Sequence, residues 1–354
     1  MQMPNAQPAS APAQLDLSYR IDFASLAGWE DDDHAQAFDA FCRSARQIIR
    51  GTYPIHQGQI DRNALIEVAQ TAVDIGQVSS SEARGFFEEC FDPYVLGTDE
   101  SFEGFLTGYF EPELPASRLP SDVYSVPLYR PPADLADSSN EAGLYKFDRA
   151  DLQAGALSGQ GLELAWLTNK TDAYFLHVQG SARLRLDDGE TMRVSFAAKT
   201  GHDYTSLGKA LSDKLNIPQH QMTADRLADW MNSNPDQLDA FTAQNRSFIF
   251  FKELLGLDNE EGPIGAAGVS LVPGRSLAVD QAFHSYGVPI WLSVRDKVFD
   301  HREQKGRLMI AHDTGSAIKG PQRGDIFVGS GKQAGIIAGR IQSPARMDVL
   351  VPKS

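Results

Sequence analysis

Cysteine is scarce: Cys42 and Cys90 are the only two in 354 residues. That excludes a disulfide scaffold, and a chain of this length buries enough apolar surface to fold without staples. Basic charge is also in deficit, with 32 Lys and Arg against 47 Asp and Glu, a formal net charge of −15. No basic cluster interrupts that excess, so nucleic-acid binding by counterion release is excluded. No run reaches the roughly 18 apolar residues of a membrane span. No GxGxxG or GxxxxGK[ST] loop is present, and no nucleotide cofactor is expected. The histidines (34, 56, 177, 202, 220, 284, 301, 312) show neither HxH nor HxxxH spacing, so no metal is expected.

Pro, Ala, Ser and Gln dominate up to Gln14, without a basic start or an apolar stretch, and residues 1–19 read as a flexible leader. This fits either a cytosolic start or a mature tether freed of its secretion signal. The next segment is helical. Asp31, Asp32 and Asp33 precede a helix over His34–Arg50, a second spans Asn63–Ile75, and Ser79-x-x-Glu82 forms a capping box for a third. Cys42 and Cys90 fall on the apolar stripes, either as two core thiols or as a disulfide between helices.

From Phe102 prolines multiply and the texture becomes loop and edge strand. Strands are expected at Ala173–Val178, Ala182–Leu186 and Met192–Phe196, the last two joined at Asp187-Asp188-Gly189. Short helices follow at Ser206–Leu215, Ala224–Asn232 and Asp236–Gln244. Short strands then return at Phe248–Phe251, Leu277–Val279, Ile290–Val294, Leu308–Ala311, Ile326–Val328 and Val349–Val351. Strands so spaced point to a small barrel or sandwich.

Two aspartates bracket a glycine-rich loop, in His312-Asp313-Thr314-Gly315 and Arg323-Gly324-Asp325-Ile326-Phe327, and Asp280 ends another strand. A carboxyl beside apolar walls keeps its proton to higher pH and can serve as a general acid. The plainer reading is that Asp313 and Asp325 close turns. Asp-Thr-Gly also occurs in aspartic peptidases, but those need two copies or a homodimer and this chain has one. Thr107-Gly108-Tyr109-Phe110-Glu111-Pro112 and His177-Val178-Gln179-Gly180-Ser181 each join an apolar strand to a polar tip, as a sugar-binding wall would.

Together with Lys199-Thr200-Gly201-His202-Asp203-Tyr204 and Asn245-Arg246-Ser247-Phe248, these motifs resemble the membrane-bound lytic murein transglycosylase A family over about 20–354. The run through Asp280, Asp313 and Asp325 looks like that family's three-aspartate domain. The resemblance implies a mainly β protein with a helical N-terminal part. A double-psi β-barrel domain would be assembled from 20–108 and 245–354, with a smaller β-rich domain inserted at 109–244 and a groove between them. It implies non-hydrolytic cleavage of the β-1,4 MurNAc-GlcNAc bond of peptidoglycan glycan strands to a 1,6-anhydro end. Asp325 would be the catalytic acid and then base, with Asp313 and Asp280 in support and a charged Asp313 raising the pKa of Asp325. Thr107, Tyr109, Gln179, Gly180 and Ser181 would bind substrate. No cofactor is implied. The location would be periplasmic, at the outer membrane of a Gram-negative bacterium, with any lipid anchor belonging to a precursor. Two rivals are a two-carboxylate glycoside hydrolase on the same fold and a non-catalytic glycan-binding protein. Ser316 stands where the motif has a second glycine, which the loop tolerates if φ there is negative.

Overall fold

The computed structural model describes residues 17–53, 60–96, 104–136, 144–256, 261–294 and 306–353. In chain order, β1 (Leu17–Arg20) is followed by α1 (His34–Ile49), α2 (Arg62–Ile75), α3 (Ser80–Cys90), β2 (Phe91–Leu96) and β3 (Gly104–Glu111). Then come β4 (Glu113–Ser117), β5 (Val126–Tyr129), α4 (Ala133–Ala136), α5 (Arg149–Gln153), β6 (Glu163–Leu167), α6 (Lys170–Gln179), β7 (Ser181–Leu186) and β8 (Thr191–Lys199). Helices α7 (Leu207–Leu215), α8 (Ala224–Ser233) and α9 (Pro235–Thr242) lead to β9 (Ile249–Leu254). The chain finishes with β10 (Ser276–Val279), β11 (Pro289–Val294), β12 (Gly306–Asp313), β13 (Arg323–Ser330), α10 (Gly331–Ala338) and β14 (Gln342–Pro352).

Two units form. The first takes residues 17–107, 264–327 and 341–354; the second takes 108–263 and 328–340. In the first, the sheet order β14-β11-β12-β10-β13-β3 closes through a β14–β3 pairing into a six-stranded barrel, with β2 and β1 continuing from β14. Neighbouring strands are antiparallel except for two parallel pairs, β10 with β12 and β13 with β3, the second required by the directions of the other strands in the ring. Trp291, Leu277, Ile310 and Phe327 are fully buried there. The three helices form as their stripes require. Ser79 and Glu82 make the reciprocal capping box at α3, and Phe38, Phe41, Phe86 and Phe87 interlock edge to face. Of the three leading aspartates only Asp33 caps α1, accepting from Gln36 N. Asp32 is buried instead. It receives both ends of the Arg275 guanidinium at 2.8 and 2.9 Å and the Leu308 amide at 2.9 Å.

The second unit carries a six-stranded sheet in the order β5-β6-β4-β7-β8-β9, antiparallel but for β4–β7. Leu164, Leu176, Leu184, Val194 and Phe251 pack in its main core, and α7, α8 and α9 gather a satellite core around Tyr174 and Met231. Buried Glu111 accepts from Arg183 at 2.8 Å, Arg193 at 3.0 Å and Ser330 at 2.7 Å. One face of the alternating β7 therefore answers a buried carboxylate rather than water.

Four expectations are corrected. Ala173–Val178 is not a strand but part of α6. Asn169 accepts from Asp172 N at one end and Gly180 closes the other in the left-handed region (φ 81°), so the caps override the β-prone Tyr-Phe-Leu-His-Val composition. Residues 245–263 belong with the second unit, because β9 pairs with β8 and buries Phe250 and Phe251 there. Residues 17–19, expected in the leader, lie in β1, which pairs with β2; the rest of the leader, and His56 and His301, lie outside the described residues. Cys42 and Cys90 are free, so the disulfide alternative falls. Both are half-buried, and burial raises the Cys42 thiol to about 11.

Candidate active site

Asp325 lies within β13, not in a turn. Strand β10 fixes what surrounds it. Ala278 is in register with Asp313 of the parallel neighbour β12 on one side and with Asp325 of the antiparallel neighbour β13 on the other. Asp280 follows two residues on. Three carboxylates distant in sequence are thus gathered at one end of β10, with Asp313 and Asp325 about 10 Å apart at Cα, twice the strand spacing.

The three have different surroundings. Asp280 is buried, and its oxygens accept from the amides of Ala282 at 3.1 Å and Gly320 at 2.8 Å. Gly320 takes φ of 106°, a conformation side chains rarely adopt, so this amide reaches the carboxylate because the residue is glycine. Asp313 Oδ1 accepts from the amides of Ala266 and Thr314, each at 2.9 Å, and the Thr314 hydroxyl donates to Val279 O at 2.8 Å. Both aspartates therefore fasten the loop between β12 and β13. Ser316 in that loop needs no left-handed backbone: among the described non-glycine residues only Asn216 has positive φ. His312 is a core residue facing the Ser276 hydroxyl at 2.8 Å, and burial lowers its pKa to about 3, which keeps it neutral.

Asp325 is the carboxylate with proton chemistry to offer. A Cβ at Gly324 would come within 2.9 Å of Leu106 and 3.1 Å of Leu277, so the glycine lets both fully buried leucines close on this stretch of strand. Thr107 donates its hydroxyl to Asp325 Oδ1 at 2.6 Å. Arg323 Nη2 donates to Thr107 Oγ1 at 2.6 Å, and Nη1 to Phe105 O at 3.3 Å. Burial pushes the Asp325 pKa up from the ordinary aspartate value to about 6. The Thr107 hydrogen bond and the Arg323 charge pull it down, and the Asp313 charge pushes it further up; desolvation wins.

The remaining candidates lie in the second unit, apart from Thr107, whose hydroxyl is taken up as just described. Tyr109 is partly exposed on β3. Gln179 ends α6, and its Oε1 accepts from the Phe110 amide at 3.1 Å, which leaves its NH2 as donor. Gly180 is the helix cap, and its carbonyl accepts from Phe196 N at 2.7 Å. Ser181 opens β7 and is buried. Arg323 was missed in the sequence, although a period of two in a strand puts it on the same face as Asp325. The Ala266 amide, which binds Asp313, carried no local signal at all. Among the described residues no group of three or more His, Cys, Asp or Glu is placed to hold a metal, and no helix is long and apolar enough to cross a membrane.

Fold and site together define a barrel protein in which three carboxylates gather around one end of β10, with Asp325 raised by burial to a pKa of about 6. Residues 105–252 match the family described as "MltA specific insert domain", and residues 275–351 match the "3D domain". The membrane-bound lytic murein transglycosylase A of Vibrio cholerae is 31% identical over 258 residues, 71% of this chain and 66% of that relative's length. The crystal structure of a membrane-bound lytic murein transglycosylase from Agrobacterium tumefaciens superposes with a TM-score of 0.83 at 36% identity, covering 94% of this chain and 97% of that one. Escherichia coli MltA with bound chitohexaose gives a TM-score of 0.66 at 27% identity, with 91% of each chain covered. The chain belongs to the membrane-bound lytic murein transglycosylase A family.

Proposed function

We propose that this protein cleaves the β-1,4 MurNAc-GlcNAc bond of peptidoglycan without water, using Asp325 as acid and then as base. The observation that supports this reading is the Asp325 environment: a carboxyl desolvated by burial, held at one oxygen by Thr107, with its pKa at about 6. Protonated Asp325 gives its proton to the glycosidic oxygen as the C1–O bond breaks and oxocarbenium character builds on the MurNAc ring. The resulting carboxylate takes the proton of the C6 hydroxyl, whose oxygen bonds to C1 and closes the 1,6-anhydro ring. The acid ends the cycle protonated, as it began. A hydrolase needs a second carboxylate to activate water or bond to the sugar; here the sugar's own hydroxyl, held close, replaces it. That Asp280 is bound through both oxygens and Asp313 through Oδ1 to loop amides favours the single-acid reading over the hydrolase.

Tyr109, Gln179, Gly180 and Ser181 are proposed to face the glycan, with the Gln179 NH2 as a donor to sugar oxygen. The names of the relatives support a place at the membrane, and we place the protein in the periplasm, at the outer membrane of a Gram-negative cell. The test is mass spectrometry of products from purified sacculi. Anhydro ends, one water lighter than reducing ends, are expected, and Asp325→Asn is expected to abolish them while glycan binding persists. Reducing ends would identify a hydrolase; turnover by the variant near the wild-type rate would remove Asp325 from the role.

A further inference from the structure

We propose that Arg323 is a positioning residue that fixes the direction of the Thr107 hydroxyl and so confines the transferable proton of Asp325 to Oδ2. The inference rests on Asp325 being the acid and follows from counting hydrogens. A guanidinium only donates. Arg323 Nη2 lies 2.6 Å from Thr107 Oγ1, so the threonine oxygen must accept there. Its single hydrogen is then free to point at Asp325 Oδ1, also 2.6 Å away. Oδ1 is thereby an acceptor, and an acid proton on Asp325 must reside on the other oxygen. The reverse arrangement, with Oδ1–H donating to Thr107, would have the threonine oxygen accept twice and turn its own hydrogen away from both neighbours. Arg323 penalises that state. The acid is therefore presented in one orientation rather than two, and the same oxygen is vacated for the returning proton.

Interposing the threonine has a second effect. A direct Arg–Asp pair would hold the carboxylate ionised. Arg323 instead contacts Asp325 only through the hydroxyl, its charge acting from beyond ion-pair distance, and no carboxylate forms a salt bridge with it among the described residues. Its guanidinium is held by Phe105 O and Gly324 O and lies over the Phe105 ring at 5.6 Å, so its place is fixed independently of the acid. The charged groups acting on Asp325 are Arg323 on its own strand and Asp313 across β10; Thr107 of β3 supplies the hydrogen bond.

The experiment is the pH dependence of kcat/KM for anhydro-product formation in Arg323→Gln, Arg323→Lys, Thr107→Val and Thr107→Ser, with folding checked by thermal unfolding. Arg323→Gln and Thr107→Val each remove an influence that favours the carboxylate, so the alkaline limb should move up by about one pH unit and the rate at the plateau fall about 10-fold. Thr107→Ser and Arg323→Lys keep the donor and should recover most of both. A merely structural Arg323 would lower the rate at every pH and leave the limb in place, and that result overturns the inference. Asp325→Asn measured alongside separates the two questions. If it stays active, the acid assignment itself fails; if it is dead while the limb is unmoved in folded Arg323→Gln and Thr107→Val, only the positioning role fails.

Discussion

At the residue scale the decisive quantity is the free energy of one proton. Asp325 binds its proton more tightly in the folded protein than an exposed aspartate does, because burial desolvates the charged form. In the proposed mechanism the acid form starts the reaction, so kcat/KM should be level below about pH 6 and fall tenfold per unit above it. A rate constant from pH 5 to pH 9 would contradict the assignment. The same shift has a stability consequence of definite sign. A folded pKa raised above the unfolded one means that the native state binds more protons, so this group's contribution declines as pH rises from the ordinary aspartate range through about 6. Asp325→Asn should therefore be more stable than the parent at pH 8, by up to about 3 kcal/mol, and little changed at pH 4. Chemical denaturation at the two pH values measures it; equal effects would mean that the carboxylate is not desolvated. Much of this residue was legible in the sequence, since aspartate between glycine and an apolar run is visible there. The size of its shift was not, because Thr107 and Asp313 act on it from two other strands.

At the scale of elements, legibility followed locality. Helices α1 to α3 and α7 to α9 could be read because stripe and cap lie within a few residues of each other. The α6 segment could not be read from its aromatic and β-branched interior, although Asn169 and Gly180 marked its ends all along. Asp32 shows the same limit. It reads as a negative charge before a helix but works as half of a bidentate pair with Arg275, across 243 residues. That pair, together with the Leu308 amide, fastens the segment leading into α1 to the barrel. Breaking one side leaves an uncompensated buried charge, so Arg275→Leu should cost about 3–5 kcal/mol, whereas a simultaneous Asp32→Leu should return part of the loss. Urea unfolding of the single and double variants checks this. A single variant as stable as the parent would show that the pair contributes nothing.

At the scale of the whole molecule the net charge of −15 bears on the substrate. The stems of peptidoglycan, the proposed substrate, carry carboxylates, so this chain and an intact sacculus should repel at long range, and salt screens that repulsion over about 10 Å at 0.1 M. KM for sacculi should therefore fall as salt rises from 10 to 150 mM, while KM for an uncharged oligosaccharide stays level. A parallel response of both substrates would place the effect in the site rather than in the global field. The charge balance was readable directly from composition. The assignment of 245–263 to the second unit was not, since nothing in Phe248–Phe251 announces that it will pair with β8.

Strand β14 is eleven residues long and pairs with β2, β11 and β3 in succession. The ring in the first unit is complete only when that segment has been synthesised and has travelled back to strands laid down some 250 residues earlier. Until then three exposed strand borders stand ready to zip onto neighbouring nascent chains. Maturation of this fold is accordingly a late, long-range closure, slow by its topology, and a cell making it gains most from a chaperone that guards those borders until the last strand arrives.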